Sequence, residues 1–364
     1  MVAPPVLDSP FLKPIFKYLI LMISEALSQF KNFRRVYMKT LIFTKKDVEK
    51  VLTPSMANRT VEKAFKAYGL GQADMPAKSY LYFKKGDLRS MPAYIHGQGF
   101  DIAGIKSVNV HPENARYNLP TVMAVIILVD PQNGFPLAIL DGTYLTSIRT
   151  GAAGALAAKL LSRKNAKRAG FVGCGVQART QLMCILEVRK LKTVKIWQFE
   201  PKDTYAPRFK EWVEKKCGLP ATVSQDIDEV TTGVDILITS TPSRKPLVHK
   251  VSPGTHINAI GADAEGKQEI NPKLLRQAKL VIDDWAQASH SGEINVPFRR
   301  KQVAEKDIYA GLGEVAAGKK KGRASDEEIT VFDSTGLAIQ DVSCAYTVYK
   351  ALKNEPGIAR IELF

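Results

Sequence analysis

Cysteine is scarce and unpaired in this chain of 364 residues: Cys174, Cys184, Cys217 and Cys344 form no CxxC pair. A disulfide framework or zinc site is therefore not expected, and the usage fits a reduced, cytoplasmic chain with no metal centre. Long apolar runs are also missing. The N-terminal stretch "FLKPIFKYLILMISEALSQFKNFRRVY" has an apolar core of only about seven residues, against the roughly 20 that a membrane span requires, so no span is expected. It carries no small-residue cleavage site and suits an amphipathic helix with basic flanks. The fold is expected to begin at Met38, where "MKTLIFTKKDVEKVL" reads as a strand, a Thr44 cap and a helix, with residues 1–37 an extension outside it.

Charge is plentiful and unbalanced, at a formal +16. Its densest run, "GKKKGR" from Gly318 to Arg323, is followed at once by "SDEE" and reads as a solvated loop. No segment interleaves basic residues with exposed aromatics, so nucleic acid is not an expected partner; anionic small molecules are.

Two grammars divide the rest. From Thr40 to about Arg149, the runs "KSYLYF", "GIKSVNV" and "TVMAVIILVD" alternate with the turn signals "KKGD", "HPEN" and "PQNGFP", which predicts an antiparallel or mixed sheet. The Ala-, Gly- and Leu-rich stretch from Ala152 to Leu160 reads as a tightly packed connecting helix. From Lys167 the chain alternates short apolar strands with helices: "RAGFVG", a helix over Thr180 to Lys190, "TVKIWQF", a helix ending near Cys217, "ATVSQ", "VDILITS", "THINAIG" and "AKLVIDD". This alternation predicts a doubly wound parallel sheet. A strand "ITVFDST" and a helix over Ile339 to Leu352 then return the chain to the first segment.

The stretch "GFVGCGVQA" lies between the first such strand and its helix. Gly173 permits the tight turn, Gly175 lets backbone approach a pyrophosphate, and Ala178 lets helix and strand pack closely, with the helix N-terminus offering free N–H groups. The acid expected about 20 residues on, to grip a ribose, is replaced by Gln198, which can still hydrogen-bond a hydroxyl but repels a 2'-phosphate less; NAD is the expected cofactor, with NADP left open. Thr239 to Thr241 and Asn258 to Glu269 leave later strand ends, the first with hydroxyls and the second with Gly261 and Asp263. In the first segment Lys78, Arg89, Lys106 and Arg149 form a scattered cationic set. Lys106 interrupts an apolar strand, where alternation could expose it or burial could lower its pKa into an acid/base range. Arg149 opens the Ala-rich helix at the end where the dipole disfavours a cation, so an anion there would compensate.

The motifs "RSMPAY", "GIKSVNVHPEN", "LPTVMAV", "DPQNGFPLAILDGTYLTSIRTGAAGALAAKLL", "GFVGCGVQA", "INAIGAD" and "DSTGLAIQD" together resemble the ornithine cyclodeaminase and mu-crystallin family, and within it the archaeal-type L-alanine dehydrogenase branch, over about Met38 to Lys353. The resemblance implies an α/β chain: a Rossmann dinucleotide domain over 151–336, and an α+β substrate and dimerisation domain over 38–150 completed by 337–364. It implies a homodimer that acts on a small amino acid by hydride transfer to a nicotinamide. Three activities fall within it: NAD-dependent oxidative deamination of L-alanine, cyclodeamination of L-ornithine to L-proline, and a mu-crystallin-like NADP-dependent ketimine reductase or binding protein.

Matched by motif, Lys106 would be the proton donor and acceptor, and Asp263 would hold the amino group or activate water. Lys78 and Arg89 would clamp the substrate carboxylate, with Arg149 at its boundary with the cofactor. Val176 and Gln177 would meet the pyrophosphate and Gln198 the adenosine ribose. Thr239, Ser240, Thr241, Ile260, Gly261, Ala262 and Ser334 would complete the cofactor site. The cyclodeaminase pattern has arginine where Lys78 stands, which favours the alanine dehydrogenase branch.

Overall fold

The computed structural model describes residues 21–22 and 38–364, so the expected extension over 1–37 lies outside them but for Leu21 and Met22. Thr40–Arg360 form one compact unit that holds two sheets. The first contains β1 (Thr40–Phe43), β2 (Ala73–Asp74), β3 (Ser79–Phe83), β4 (Gly86–Ile95), β5 (Ile102–Val110), β6 (Val122–Val129) and β7 (Pro136–Asp141), in spatial order β1-β7-β6-β5-β4-β2 with β3 paired on β4. It is mixed, because β1 runs parallel to β7 while the turn-linked strands run antiparallel. Thr44 starts the first helix as the sequence predicts, its N–H donating to Asp47 Oδ2 at 2.8 Å.

Register decides which side chains face inward. Met91 pairs with Lys106 and Lys106 with Ile126, so Lys106 shares its face with buried Ala93, Val108 and Leu128. The helix Ala338–Leu352 covers that face. The opposite face leaves Leu81, Phe83 and Val125 exposed.

The second sheet is parallel throughout. Its strands are β8 (Arg168–Val172), β9 (Thr193–Trp197), β10 (Ala221–Ser224), β11 (Ile236–Thr239), β12 (His256–Ala259), β13 (Lys279–Ile282), β14 (Ile308–Gly311) and β15 (Thr330–Asp333). The order is β10-β9-β8-β11-β12-β15-β13-β14, which reverses direction between β8 and β11 and opens the crevice that such sheets use for ligands. Two elements differ from the sequence expectation. The first helix spans Val176–Leu186 and starts four positions earlier than predicted, since Gly175 itself serves as N-cap. β14 was not anticipated, because "IYAG" is too short and glycine-bounded to register as a strand.

The connecting helix covers Thr143–Leu161, and every residue from Ile148 to Ala158 is buried. Its small side chains follow from that confinement. At Gly154 a Cβ would lie 1.9 Å from Gln181 Oε1 and 2.7 Å from Asn258 Nδ2. Those two amides are linked at 3.1 Å; Asn258 Nδ2 also donates to the Gly154 carbonyl at 3.0 Å, and Asn258 Oδ1 accepts from His256 Nε2 at 2.9 Å. Burial drives the His256 pKa down to about 3, so this ring stays neutral in the network. Gly154→Ala should destabilise the chain by about 2 kcal/mol or more in urea unfolding, because a methyl must displace two hydrogen-bonded amides. Gly175→Ala, with φ of −81° and nothing within 4 Å of the added methyl, is the contrast and should cost only the loss of an N-cap preference, about 1 kcal/mol or less.

Candidate active site

The glycine loop sits at the switch point. Gly173 adopts φ +112°, and a Cβ there would stand 2.6 Å from the Ser240 carbonyl oxygen, so only glycine fits the turn beside the neighbouring strand end. The helix that follows presents its N-terminus with Val176 largely exposed. Gln177 lies one residue in, its Oε1 accepting from Thr180 Oγ1 at 3.3 Å. A cleft of about 720 Å³ opens here, lined by Gly173, Gly175, Trp197, Phe199, Ser240 and Thr241 among others.

Residues from the second half of the sheet complete the surroundings. Thr239 closes β11, Ser334 follows β15, and Ile260, Gly261 and Ala262 follow β12. The hydroxyl oxygens of Ser240 and Ser334 are buried with no hydrogen-bond partner among the described residues. Orphaned hydroxyls at strand ends, a glycine turn and an open helix N-terminus fit the hydroxyl- and phosphate-rich body of a dinucleotide. Gln198 is the exception. Its Nε2 donates to the carbonyls of Pro201 at 3.3 Å and Asp203 at 3.1 Å, and the side chain does not line the cleft. Glu200 and Asp203 do, so acidic residues line the cleft from the loop rather than from the strand end.

The scattered cations converge. Lys106 is 1% exposed and its Nζ lies 2.8 Å from Asp341 Oδ2. Asp341 takes Arg149 Nε on its other oxygen at 2.8 Å, while Arg149 Nη1 donates to Gln340 Oε1 at 2.7 Å. Burial, then the nearby Arg149 charge, lowers the Lys106 pKa to about 7 against the pull of Asp341. Arg149 is therefore not a helix-opening residue: it stands in the second turn, and its compensating anion is Asp341.

Lys78 donates to the Thr335 carbonyl at 2.6 Å, and desolvation brings its pKa down to about 8 despite Asp283 and Asp263. Arg89 grips Asp87 through two nitrogens at 2.8 and 3.2 Å and reaches Asp263 Oδ2 at 3.2 Å. Burial alone would weaken its charge, but Asp263 and Asp87 hold the guanidinium cationic. Asp263 also meets Lys267 Nζ at 2.5 Å; although burial works against ionisation, Lys267 and Arg89 keep its pKa down to about 2. Thus Lys78, Arg89 and Asp263 share one neighbourhood, while the carboxylate that touches Lys106 is Asp341 rather than Asp263.

Sequence reasoning missed Asp341 and Asp283. Asp341 lay inside the quoted "DSTGLAIQD", where only Ser334 was singled out. Asp283 is buried, accepts Thr335 N at 2.6 Å and Gly336 N at 2.8 Å, and so braces the backbone that Lys78 touches. Its signal was the acidic pair ending "AKLVIDD", where parallel strands place ligand-facing groups.

Burial raises the pKa of Asp283 to about 6, of Glu269 to about 7 and of Asp333 to about 8, and pushes Glu293 well above the usual carboxylate range. Between about pH 5 and 7 the folded chain therefore holds protons that the unfolded chain has released, and stability should fall as pH rises. His256, held neutral by folding, opposes this below its ordinary pKa, and Lys106 and Lys78 oppose it above about 7 and 8, where the trend should flatten or reverse. Thermal melts across this range check the sign, and Glu293→Gln, which removes one of the titrations, should shrink the fall between pH 5 and 7.

The Ornithine cyclodeaminase/mu-crystallin family model matches residues 38–355. The alanine dehydrogenase of Archaeoglobus fulgidus is 50% identical over 330 residues, covering 90% of this chain and 99% of that protein. A solved archaeal alanine dehydrogenase dimer with bound NAD superposes with a TM-score of 0.85 at 49% identity, covering 90% of this chain and all of that one. The Delta(1)-pyrroline-2-carboxylate reductase of Thermococcus litoralis, solved with NADH and L-proline, gives a TM-score of 0.82 at 37% identity over 88% of this chain and 99% of that one.

Proposed function

The chain belongs to the ornithine cyclodeaminase/mu-crystallin family, and we propose that it is an NAD-dependent dehydrogenase that oxidatively deaminates L-alanine to pyruvate and ammonia. The observation that carries the reading is the desolvated Lys106 ammonium, held by Asp341 beside Arg149 and near Lys78, in a fold whose other half bears the dinucleotide crevice. The proposed division of labour puts the substrate in the mixed-sheet half and the cofactor on the parallel sheet. Bound NAD would supply the hydride acceptor, resting on Gly173–Gln177 and the Thr239–Thr241 and Ile260–Ala262 loops.

Arg89, fixed in orientation by Asp87, and Lys78 present two cations to the substrate carboxylate. Hydride can leave Cα only as the nitrogen lone pair moves in, so the α-ammonium must first lose a proton. Lys106, with its pKa near 7, takes that proton when neutral, and Asp341 holds its Nζ in place. Asp263 stays ionised and stabilises the positive charge that develops on the substrate nitrogen. Water then adds to the imine carbon, and a proton returned by Lys106 lets ammonia depart. The balance is alanine, NAD and water to pyruvate, ammonium, NADH and one proton.

The chain is further proposed to dimerise through the open face of the first sheet, where Leu81, Phe83 and Val125 are exposed on the side away from the helix Ala338–Leu352. The archaeal alanine dehydrogenase of similar structure is a dimer.

Mixing purified protein and NAD with L-alanine should give stoichiometric NADH and pyruvate. Proline and ammonia from ornithine without net NADH would replace the proposal with cyclodeamination, and reduction of cyclic ketimines alone would replace it with a reductase. Lys106→Met should abolish turnover while NAD affinity stays within about twofold, and the oxidative kcat/KM of the unmodified chain should rise through pH about 7 as Lys106 loses its proton. Val125→Asp should shift the species seen in sedimentation velocity from dimer to monomer; an unchanged dimer would assign the interface elsewhere.

A further inference from the structure

Three carboxylates sit fully buried beneath the crevice, at strand ends and loops of the parallel sheet: Glu269, Glu293 and Asp333. Among the described residues none of them makes an ion pair within 4 Å; each is held chiefly by backbone N–H groups, with the Thr239 and Thr241 hydroxyls also close to Glu269. The bonds run in series. Asp333, the last residue of β15, accepts Glu293 N at 2.8 Å and Ile294 N at 3.1 Å on its two oxygens. Glu293 in turn accepts Glu269 N at 2.9 Å and Ile270 N at 2.6 Å. Glu269 finally accepts Thr241 N at 2.7 Å on one oxygen and Gly261 N at 2.9 Å on the other.

Each carboxylate thus anchors the backbone that carries the next, and the last one bridges the loops after β11 and β12. Both close approaches depend on glycine. A Cβ on Gly261 would stand 2.4 Å from Glu269 Oε2, and one on Gly292 would stand 2.6 Å from Asp333 Oδ2. The same region ties down the Asp263 segment, since Asn295 accepts Gly266 N at 2.9 Å and donates to the Lys267 carbonyl at 2.9 Å.

We propose that Glu269 is a positioning residue for the dinucleotide: by holding Thr241 and Gly261 at a set separation, with Glu293 and Asp333 fixing it from below, it shapes the half of the crevice that receives the nicotinamide. This rests on the reading of the crevice as a dinucleotide site. In a sheet of this order the adenosine half lies over the β8-β9-β10 side and the nicotinamide half over β11-β12-β15. Glu269 touches only the second set, on which Asp263 also lies. A disturbance at Glu269 should therefore loosen the nicotinamide half and leave the adenosine diphosphate half intact.

The test uses the full chain with Glu269→Gln, which keeps the shape but offers one acceptor and one amide donor to two N–H groups. Titration with NAD should show affinity weakened roughly tenfold, the scale of one lost buried acceptor, while ADP affinity stays within about twofold. Should the amide variant fail to fold, Glu269→Asp keeps the charge on a shorter stem and should give the same NAD-against-ADP split. Equal loss for both ligands would reduce Glu269 to a general structural role, and unchanged NAD binding would overturn the proposal outright. Because the readout is binding, a chain that ignores alanine but shows the split would refute the dehydrogenase reading and leave this one standing.

Discussion

A charge removed from water must be answered at once, and the active half of this molecule is organised around one such answer. Asp341, fully buried, meets Lys106 on one oxygen and Arg149 on the other. Either cation alone would be costly in that interior, and the two together would repel. One carboxylate shared between them answers both and still leaves the lysine poised near neutrality, because burial, and after it the neighbouring Arg149 charge, outweigh the pull of that single anion. The triad also joins three elements: β5, the connecting helix and the helix Ala338–Leu352. Charge balance and tertiary assembly are thus one event.

The parallel sheet solves the opposite problem, negative groups in a dry interior, by a different route. Glu269, Glu293 and Asp333 are matched to backbone N–H donors rather than cations. This leaves their protonation loose, as the upward shifts show, but gives directional bonds that set loop positions to within a hydrogen-bond length. In the proposed mechanism the cationic half performs the proton chemistry, while the anionic half holds loop geometry.

Much of this was legible in the chain alone. The strand and helix rhythm after Lys167, the glycine turn and the anomaly of lysine in an apolar strand each rest on local spacing, and each reappears in the structure. What escaped was long-range. Asp341 lies 192 residues from Arg149, and nothing in either neighbourhood names the other. Asp283 and the buried glutamates read as ordinary polar residues until the sheet order stacks their loops. Gln198 stands just past the end of β9, where the sequence places it, but its Nε2 donates to loop carbonyls that spacing does not reveal. Periodicity reports which face a residue takes, whereas partnership depends on topology.

The helix Ala338–Leu352 carries one further implication, for the order of synthesis. Lys106 and Arg149 leave the ribosome about 190 residues or more before the carboxylate that reconciles them, a wait of tens of seconds at ordinary elongation rates. Through that interval the first sheet lacks the helix that packs on β4, β5 and β6, and its two cations have no shared anion, so it cannot close into its final form. The nucleotide-type sheet, whose strands and buried carboxylates all precede Asp341 in the chain, is free to settle first. The half proposed to bind substrate is thereby the one whose charge balance is completed last in the chain, and a chain interrupted before residue 341 would leave Lys106 and Arg149 without the carboxylate they share.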